Sequence, residues 1–408
     1  MLRLSNLKIP TDKLWFGLLV TYILSGYLAQ GVLLPEVFNS LFLYAFLAYS
    51  VFAILYSGKI KLSPILSWGA ICLILAFIAM LYSQSFSILG GTYYELIVNF
   101  VIVLILTQMP WTEKRFDLIM GTYVIASALL IIALALTGNL EDTSETGRLG
   151  EDLMGNANIL AMMLMISAIY AIWLIISSDN KKTKILSFVA VLIIYYGLFL
   201  SGGRKFIVVP IIFAYILSLY KTDKNGRKNI IKSTLIIAAI IIAVYLLIMK
   251  VPYFYDMIGY RFDGFFALFD DSADVDGSTQ IRMKMIEAAW AKWKESPLWG
   301  YGFDSFKYYN KEYVTGHQYY SHNNFTELLY NQGLIGFLGY YSFYAFLIYK
   351  ALKTKTTSIY KGFALAIVVS LLAFEYFGVT YSITPAQILL FFGCYCIEYV
   401  SKIEPKSN

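Results

Sequence analysis

Apolar runs of membrane-span length, repeated from end to end, constrain this 408-residue chain more than any other feature. A run of ~20 apolar residues crosses ~30 Å of hydrocarbon as an α-helix, which satisfies its own backbone hydrogen bonds. Such runs fall at about 14–34, 39–57, 65–84, 89–108, 117–137, 157–177, 185–200, 206–220, 233–250, 329–350, 358–378 and 383–401, so about twelve spans are expected. Only 14% of residues are charged, against ~25% in soluble domains, and this excludes an ordinary soluble protein. The runs are continuous rather than alternating, which excludes a transmembrane β-barrel. The expected fold is an all-α polytopic membrane protein. The first run, Leu14 to Leu34, lacks a small-residue cleavage pattern and is expected to stay in place as a span.

The basic residues give an orientation. With the N-terminus inside, the inner segments collect Lys8 and Lys13, Lys59 and Lys61, Lys114 and Arg115, Lys181 to Lys184, Lys221 to Lys232, Lys350 to Lys361, and Lys402. The short outer connections at 35–38, 85–88 and 379–382 contain none. This alternation follows the positive-inside rule and predicts cytoplasmic termini. The formal charge of +6 therefore reports orientation rather than nucleic-acid binding. Cys72, Cys394 and Cys396 lie inside apolar runs, so neither a disulfide framework nor a zinc site is expected. The chain divides into spans one to nine (1–250), a large extracytoplasmic loop (251–328), and spans ten to twelve with a cytoplasmic tail (329–408).

The loop between spans nine and ten holds most of the polar chemistry, including an acidic patch (Asp270, Asp271, Asp274, Asp276) and both histidines, His317 and His322. A helix beginning near Thr279 would put Arg282, Ile286, Ala289 and Trp293 on one face, with Lys284, Glu287 and Lys294 opposite. An arginine on an apolar face needs a counter-charge, which is either an anionic ligand or one of the nearby aspartates. Trp290, Trp293 and Trp299 are either interfacial anchors or core aromatics. Asn323 or Asn324 can cap the tenth span, with Glu327 in its first turn and His322 at its mouth. Histidine suits proton abstraction near neutral pH, although a lone histidine is more often structural. Five residues separate the two histidines, which is not the spacing of a metal-binding helix.

Two other polar turns stand out. Residues 138–158 are rich in Gly and Asn around Arg148, and suit a tight turn feeding a helix capped by Asn156 or Asn158. Ser201-Gly-Gly-Arg204-Lys205 is an outer turn carrying two cations where the other short outer turns carry none. Arg204 either meets a diphosphate or snorkels to lipid headgroups.

Taken in order, several stretches resemble the bacterial O-antigen ligase and polymerase superfamily. They are Arg148-Leu-Gly with Gly155-Asn-Ala-Asn158, Ser201-Gly-Gly-Arg204, Arg282 with Trp290 and Pro297-Leu-Trp-Gly-Tyr-Gly302, then Ser321-His-Asn-Asn-Phe325 running on to Gln332-Gly333. The likeness covers about 145–350. It departs where Ser-Gly-Gly-Arg replaces the commoner Ser-Gly-Ser-Arg, which removes one hydroxyl. The resemblance implies a GT-C-like glycosyltransferase of the cytoplasmic membrane, acting at its outer face on undecaprenyl-diphosphate-linked oligosaccharide, with no cofactor and no metal. It implies that Arg204 and Arg282 hold the diphosphate and that His322 deprotonates the acceptor hydroxyl. Arg148, Asn158, Lys205, Asn323, Glu327 and His317, in or beside the matching stretches, are the accompanying substrate-binding candidates. Its partners would be the lipid-linked donor, a glycan or lipid acceptor, membrane lipid and other polysaccharide-assembly proteins. The leading expectation is a polymerase of surface-polysaccharide repeat units. A ligase acting on lipid A core or protein is the near alternative, and a flippase or transporter the distant one.

Overall fold

The computed structural model describes residues 11–30, 33–84, 86, 88, 91–140, 147–221, 230–259, 262–263, 277–354 and 358–403. The acidic patch from Asp270 to Asp276 lies outside them. Among the described residues the chain is helical and contains no strand. In order come α1 (Thr11–Gln30), α2 (Glu36–Ser57), α3 (Pro64–Met80), α4 (Gly91–Gln108), α5 (Glu113–Leu136), the single turn α6 (Glu151–Met154), α7 (Ala157–Ser177), α8 (Lys181–Leu200), α9 (Arg204–Ser218) and α10 (Ile230–Lys250). The short α11 (Pro252–Phe254) and a π turn (Tyr255–Gly259) follow, then α12 (Gly277–Trp293), α13 (Phe306–Tyr313), α14 (Asn324–Lys353), α15 (Ile359–Tyr376) and α16 (Thr384–Ile403).

A helix occupies each of the twelve expected stretches. Eight helices among the described residues are long and apolar enough to cross a membrane by length and composition, and Pro64–Met80 and Thr384–Val400 are shorter apolar helices. Two expected spans fall short of both descriptions. In α9 the helix has 15 residues with Arg204 and Lys205 in its first turn, and in α1 Gly17, Thr21, Ser25 and Gly26 interrupt the apolar residues.

The chain forms two compact units, residues up to Leu62 with Ile105–Gly203, and Ser63–Leu104 with Arg204 onward. In the first, α7 packs on α5 and α8, and α1 on α2 and α5. Leu160, Leu164, Ala168 and Tyr170 of α7 are fully buried, as expected of a helix that is apolar on all sides. Ser167 Oγ accepts a hydrogen bond from Ser127 Oγ (2.6 Å) and shares one with Tyr27 Oη (3.2 Å). These bonds tie α1, α5 and α7 where hydrophobicity alone would not hold helices together in lipid.

In the second unit α9 lies along α15, while α14 packs on α3, α12 and α15. The Glu375 carboxylate, fully buried in α15, accepts hydrogen bonds from Tyr340 (3.1 Å), Tyr344 (2.6 Å), Tyr341 (3.0 Å) and Thr380 (2.6 Å). Four hydroxyl donors offset the several kcal/mol that burying an unbonded carboxylate costs.

α14 begins at Asn324, where the expected cap puts it, and Gly333 breaks it with φ 62° and ψ −165°, a conformation open essentially to glycine alone. The break frees backbone groups that the Pro297–Gly302 loop then satisfies. Tyr301 and Gly302 N–H donate to the carbonyls of Tyr330 (2.8 Å) and Asn331 (2.9 Å), and Leu334 N–H donates to Pro297 O (2.8 Å). A Cβ on Gly333 would stand 2.3 Å from the Leu298 carbonyl, so the approach requires glycine. The same loop reaches α3, with Phe303 N–H donating to Ala79 O (3.1 Å) and Ser83 Oγ to Phe303 O (2.6 Å). Beneath it Met285, Ala289, Phe306 and Tyr330 form a small apolar core. Fully burying a side chain such as Met285 or Phe306 contributes about 1.5–3 kcal/mol. The loop chemistry therefore sits on a built support.

Candidate active site

Three elements of the second unit bring the candidate residues together. The first is the start of α9, whose first residue is Arg204. Arg204 Nη2 donates to Thr279 Oγ1 (3.3 Å), fixing the first turn of α9 against the first turn of α12. The second is α12 itself, where Arg282 follows Thr279 by one turn. Ala289 is buried and Arg282, Ile286 and Trp293 half-buried, with Lys284, Glu287 and Lys294 exposed, so the expected face is present, and Met285 is buried beside it. The third is the turn before α14. His322 stands in the left-handed region (φ 59°), which histidine visits more readily than most side chains.

That unusual backbone is held from several sides. Ser321 N–H donates to Glu327 Oε2 (2.6 Å), and Asn331 Nδ2 donates to Glu327 Oε1 (2.9 Å). Asn323 caps α14, accepting from Thr326 N–H (3.0 Å), and its amide donates to Tyr376 O (3.0 Å). Asn324 Oδ1 receives the N–H groups of Thr380 and Tyr381 at 2.9 and 3.1 Å. Of the two cap residues the sequence offers, Asn323 is the one used. Glu327, only 2% exposed, has both oxygens engaged by the chain, so here it braces the His322 turn.

Lys205 completes the group. Its Nζ donates to Phe377 O (3.0 Å) and lies 4.6 Å from the Phe374 ring centroid. A Cβ on Gly378 would fall 2.4 Å from that Nζ, so the bare glycine makes room for the ammonium. Burial, then the positive charges of Arg282 and Lys205, push the His322 imidazole down from 6.5 to about 3. It is thus neutral at physiological pH and retains a free lone pair. The Tyr320 ring lies 4.5 Å from it. The arrangement is a group of cationic side chains at a helix N-terminus beside a neutral imidazole, which can bind an anion and accept a proton.

The remaining candidates lie elsewhere. His317 is exposed, its ring against Tyr319 (5.5 Å) and its carbonyl accepting from Asn310 Nδ2 (2.8 Å). Arg148 and Asn158 belong to the other unit, where they bond each other at 3.1 Å and Arg148 Nε also donates to Ser201 O (2.8 Å). Asn156 caps α7, after a turn in which Gly150 and Gly155 both adopt positive φ. Trp290 and Trp299 are exposed, and Trp293 Nε1 donates to Pro297 O (3.0 Å). Among the described residues no group of three or more His, Cys, Asp or Glu side chains is placed to hold a metal. Gly378 leaves no mark in the sequence, because its partner Lys205 lies far along the chain. The Gln332-Gly333 pair is the one visible trace of the helix break.

Residues 188–341, somewhat more than a third of the chain, match a family model described as O-antigen ligase. The matched stretch contains Arg204, Lys205, Arg282 and His322. No curated protein matches the chain. The family match supports an activity of the ligase or polymerase type, and with the apolar helices it describes an integral membrane protein.

Proposed function

We propose, from the match of residues 188–341 to the O-antigen ligase family, that this chain is a glycosyltransferase that polymerises surface-polysaccharide repeat units at the outer face of the cytoplasmic membrane. The growing chain leaves its undecaprenyl diphosphate and passes to the non-reducing end of a new lipid-linked repeat. The observation that carries this reading is the approach of Arg282 and Lys205 to a neutral His322, with Arg204 held against Thr279 one turn before Arg282.

Each residue has work in that reaction. The arginines hold the diphosphate, bidentate where geometry allows, and stabilise the charge that grows on it as the bond to the anomeric carbon breaks. An imidazole nitrogen of His322 takes the proton of the acceptor hydroxyl as its oxygen bonds that carbon from the opposite side, with inversion. The low basicity of His322 before the donor binds suits this order of events. The charges of Arg282 and Lys205 are part of what lowers it, and a bound diphosphate offsets both. The base therefore strengthens when the donor is in place. Arg148, Asn158 and His317 are proposed as accompanying substrate-binding residues.

A ligase passing finished glycan to lipid A core or to protein uses the same donor and the same residues, and differs in its acceptor. The test is substitution in cells, with polymer length read from surface extracts. Arg204→Ala, Arg282→Ala and His322→Asn, each expressed at wild-type level, should leave single repeats. Removing a general base alone reduces rate by about 10²–10⁴. Full-length polymer from Arg282→Ala or His322→Asn would end the proposal.

A further inference from the structure

Some distance along α12 from the cationic side chains lies an open cleft of about 550 Å³, half of whose lining residues are tyrosine. Tyr330, 3% exposed, forms its floor. The Tyr301 ring stacks on it (5.1 Å, 28°), the Tyr309 ring tilts 35° from it at 5.5 Å, and Tyr313 continues the row 5.2 Å beyond Tyr309. Tyr313 is 67% exposed, so the outer end of the row is open to a ligand. Around the rings stand Gln84, Lys292 and Glu312. Lys292 is already paired with Glu295 (2.5 Å), whose carboxylate also accepts from Tyr301 Oη (3.1 Å).

We propose that this cleft is a carbohydrate-binding subsite that holds the glycan several residues away from the reacting end; the inference rests on the glycosyltransferase reading above. Its chemistry selects the ligand class. Concave sites lined by aromatics with a few placed polar groups bind small amphipathic molecules. A sugar presents a C–H face to an aromatic ring and hydroxyls at its edge, and the cleft offers rings together with an amide, a carboxylate, an ammonium and phenols. The lining holds one cation, Lys292, and one carboxylate, Glu312, and Lys292 is already paired with Glu295, so a phosphate gains little there. The cleft also lacks arginine, the side chain best suited to phosphates and nucleic acid. Position supports the same ligand. Arg282 and Lys292 both lie on α12, and the ten residues from one to the other span about 15 Å of helix axis at 1.5 Å per residue. That is too far for the sugar whose bond is broken and within reach of the same oligosaccharide a few units on.

The experiment uses the purified full chain in detergent and lipid-free oligosaccharides of one to four repeats, released by mild acid from the source cell's own surface polysaccharide. Binding is read by saturation-transfer NMR and by titration of intrinsic fluorescence. Wild type and His322→Asn should bind equally, and Tyr313→Ala about tenfold more weakly, the loss of one exposed aromatic contact. Tyr313→Trp should restore binding, a rescue that separates contact from folding. No binding to wild type would overturn the inference, as would undiminished binding to Tyr313→Ala or loss confined to His322→Asn. If instead Tyr313→Ala weakens binding while His322→Asn still makes full-length polymer in cells, the cleft stands and the proposed catalytic role of His322 falls.

Discussion

Replacing Lys205 with methionine should make His322 measurably more basic. In the folded chain the imidazole drops from 6.5 to about 3, and burial contributes most, Arg282 next and Lys205 least. Lys205 is the smallest of the three causes, so Lys205→Met should raise the value, and Arg282→Met should raise it by more. Adding a soluble diphosphate should raise the wild-type value as well, since the bound anion screens both cations. The chain has two histidines, so ring-labelled protein gives two NMR titrations, and His317→Gln assigns them. The sign carries to stability. Between pH 6.5 and about 3 the unfolded chain takes up a proton that folded His322 refuses, so stability falls as pH drops through that window and is unaffected above it. An ordinary value near 6.5 in wild type would refute the reasoning, as would a value that Lys205→Met leaves unmoved.

Two further outcomes follow from close backbone approaches. Gly333→Ala places a Cβ 2.3 Å from the Leu298 carbonyl at φ 62°, and should cost more than about 2–3 kcal/mol, read as a lowered midpoint in thermal unfolding of detergent-solubilised protein. Gly378→Ala meets only the tip of Lys205, 2.4 Å away, so the midpoint should stay near wild type while diphosphate affinity falls toward that of Lys205→Met.

Much of the helical framework is legible in hydropathy, because an apolar run of span length has few other ways to satisfy its backbone. The α12 face is legible in part for a related reason, since Arg282, Ile286, Ala289 and Trp293 follow the helical period and are buried or half-buried, while the burial of Met285 is not foreseen. The start of α14 is legible as a cap with Glu327 in the first turn, but its burial is not. Asn324, Glu327, Asn331 and Gln332 are polar, yet all four are buried, and Asn324 and Asn331 bond backbone far away in the sequence. Hydropathy sees their polarity and not their partners. The break at Gly333 is equally hidden, because it answers to a loop some thirty residues earlier whose N–H groups take up the freed carbonyls. The pairing of Arg148 with Asn158 and the seat of Lys205 over Gly378 are tertiary facts of the same kind. His322 can be singled out by its rarity and its place at a helix mouth, but its neutrality arises in part from Arg282 and Lys205, which lie 40 and 117 positions away in the sequence.

Reconstitution shows whether the purified chain itself carries out the transfer. Proteoliposomes containing this protein alone receive a single undecaprenyl-diphosphate-linked repeat unit, with no nucleotide sugar. Wild type should yield a ladder of lengthened lipid-linked products, with one undecaprenyl diphosphate released per repeat added, and His322→Asn neither product. Folded wild-type protein that yields no transfer, or His322→Asn protein that yields the full ladder, would contradict the proposed catalysis.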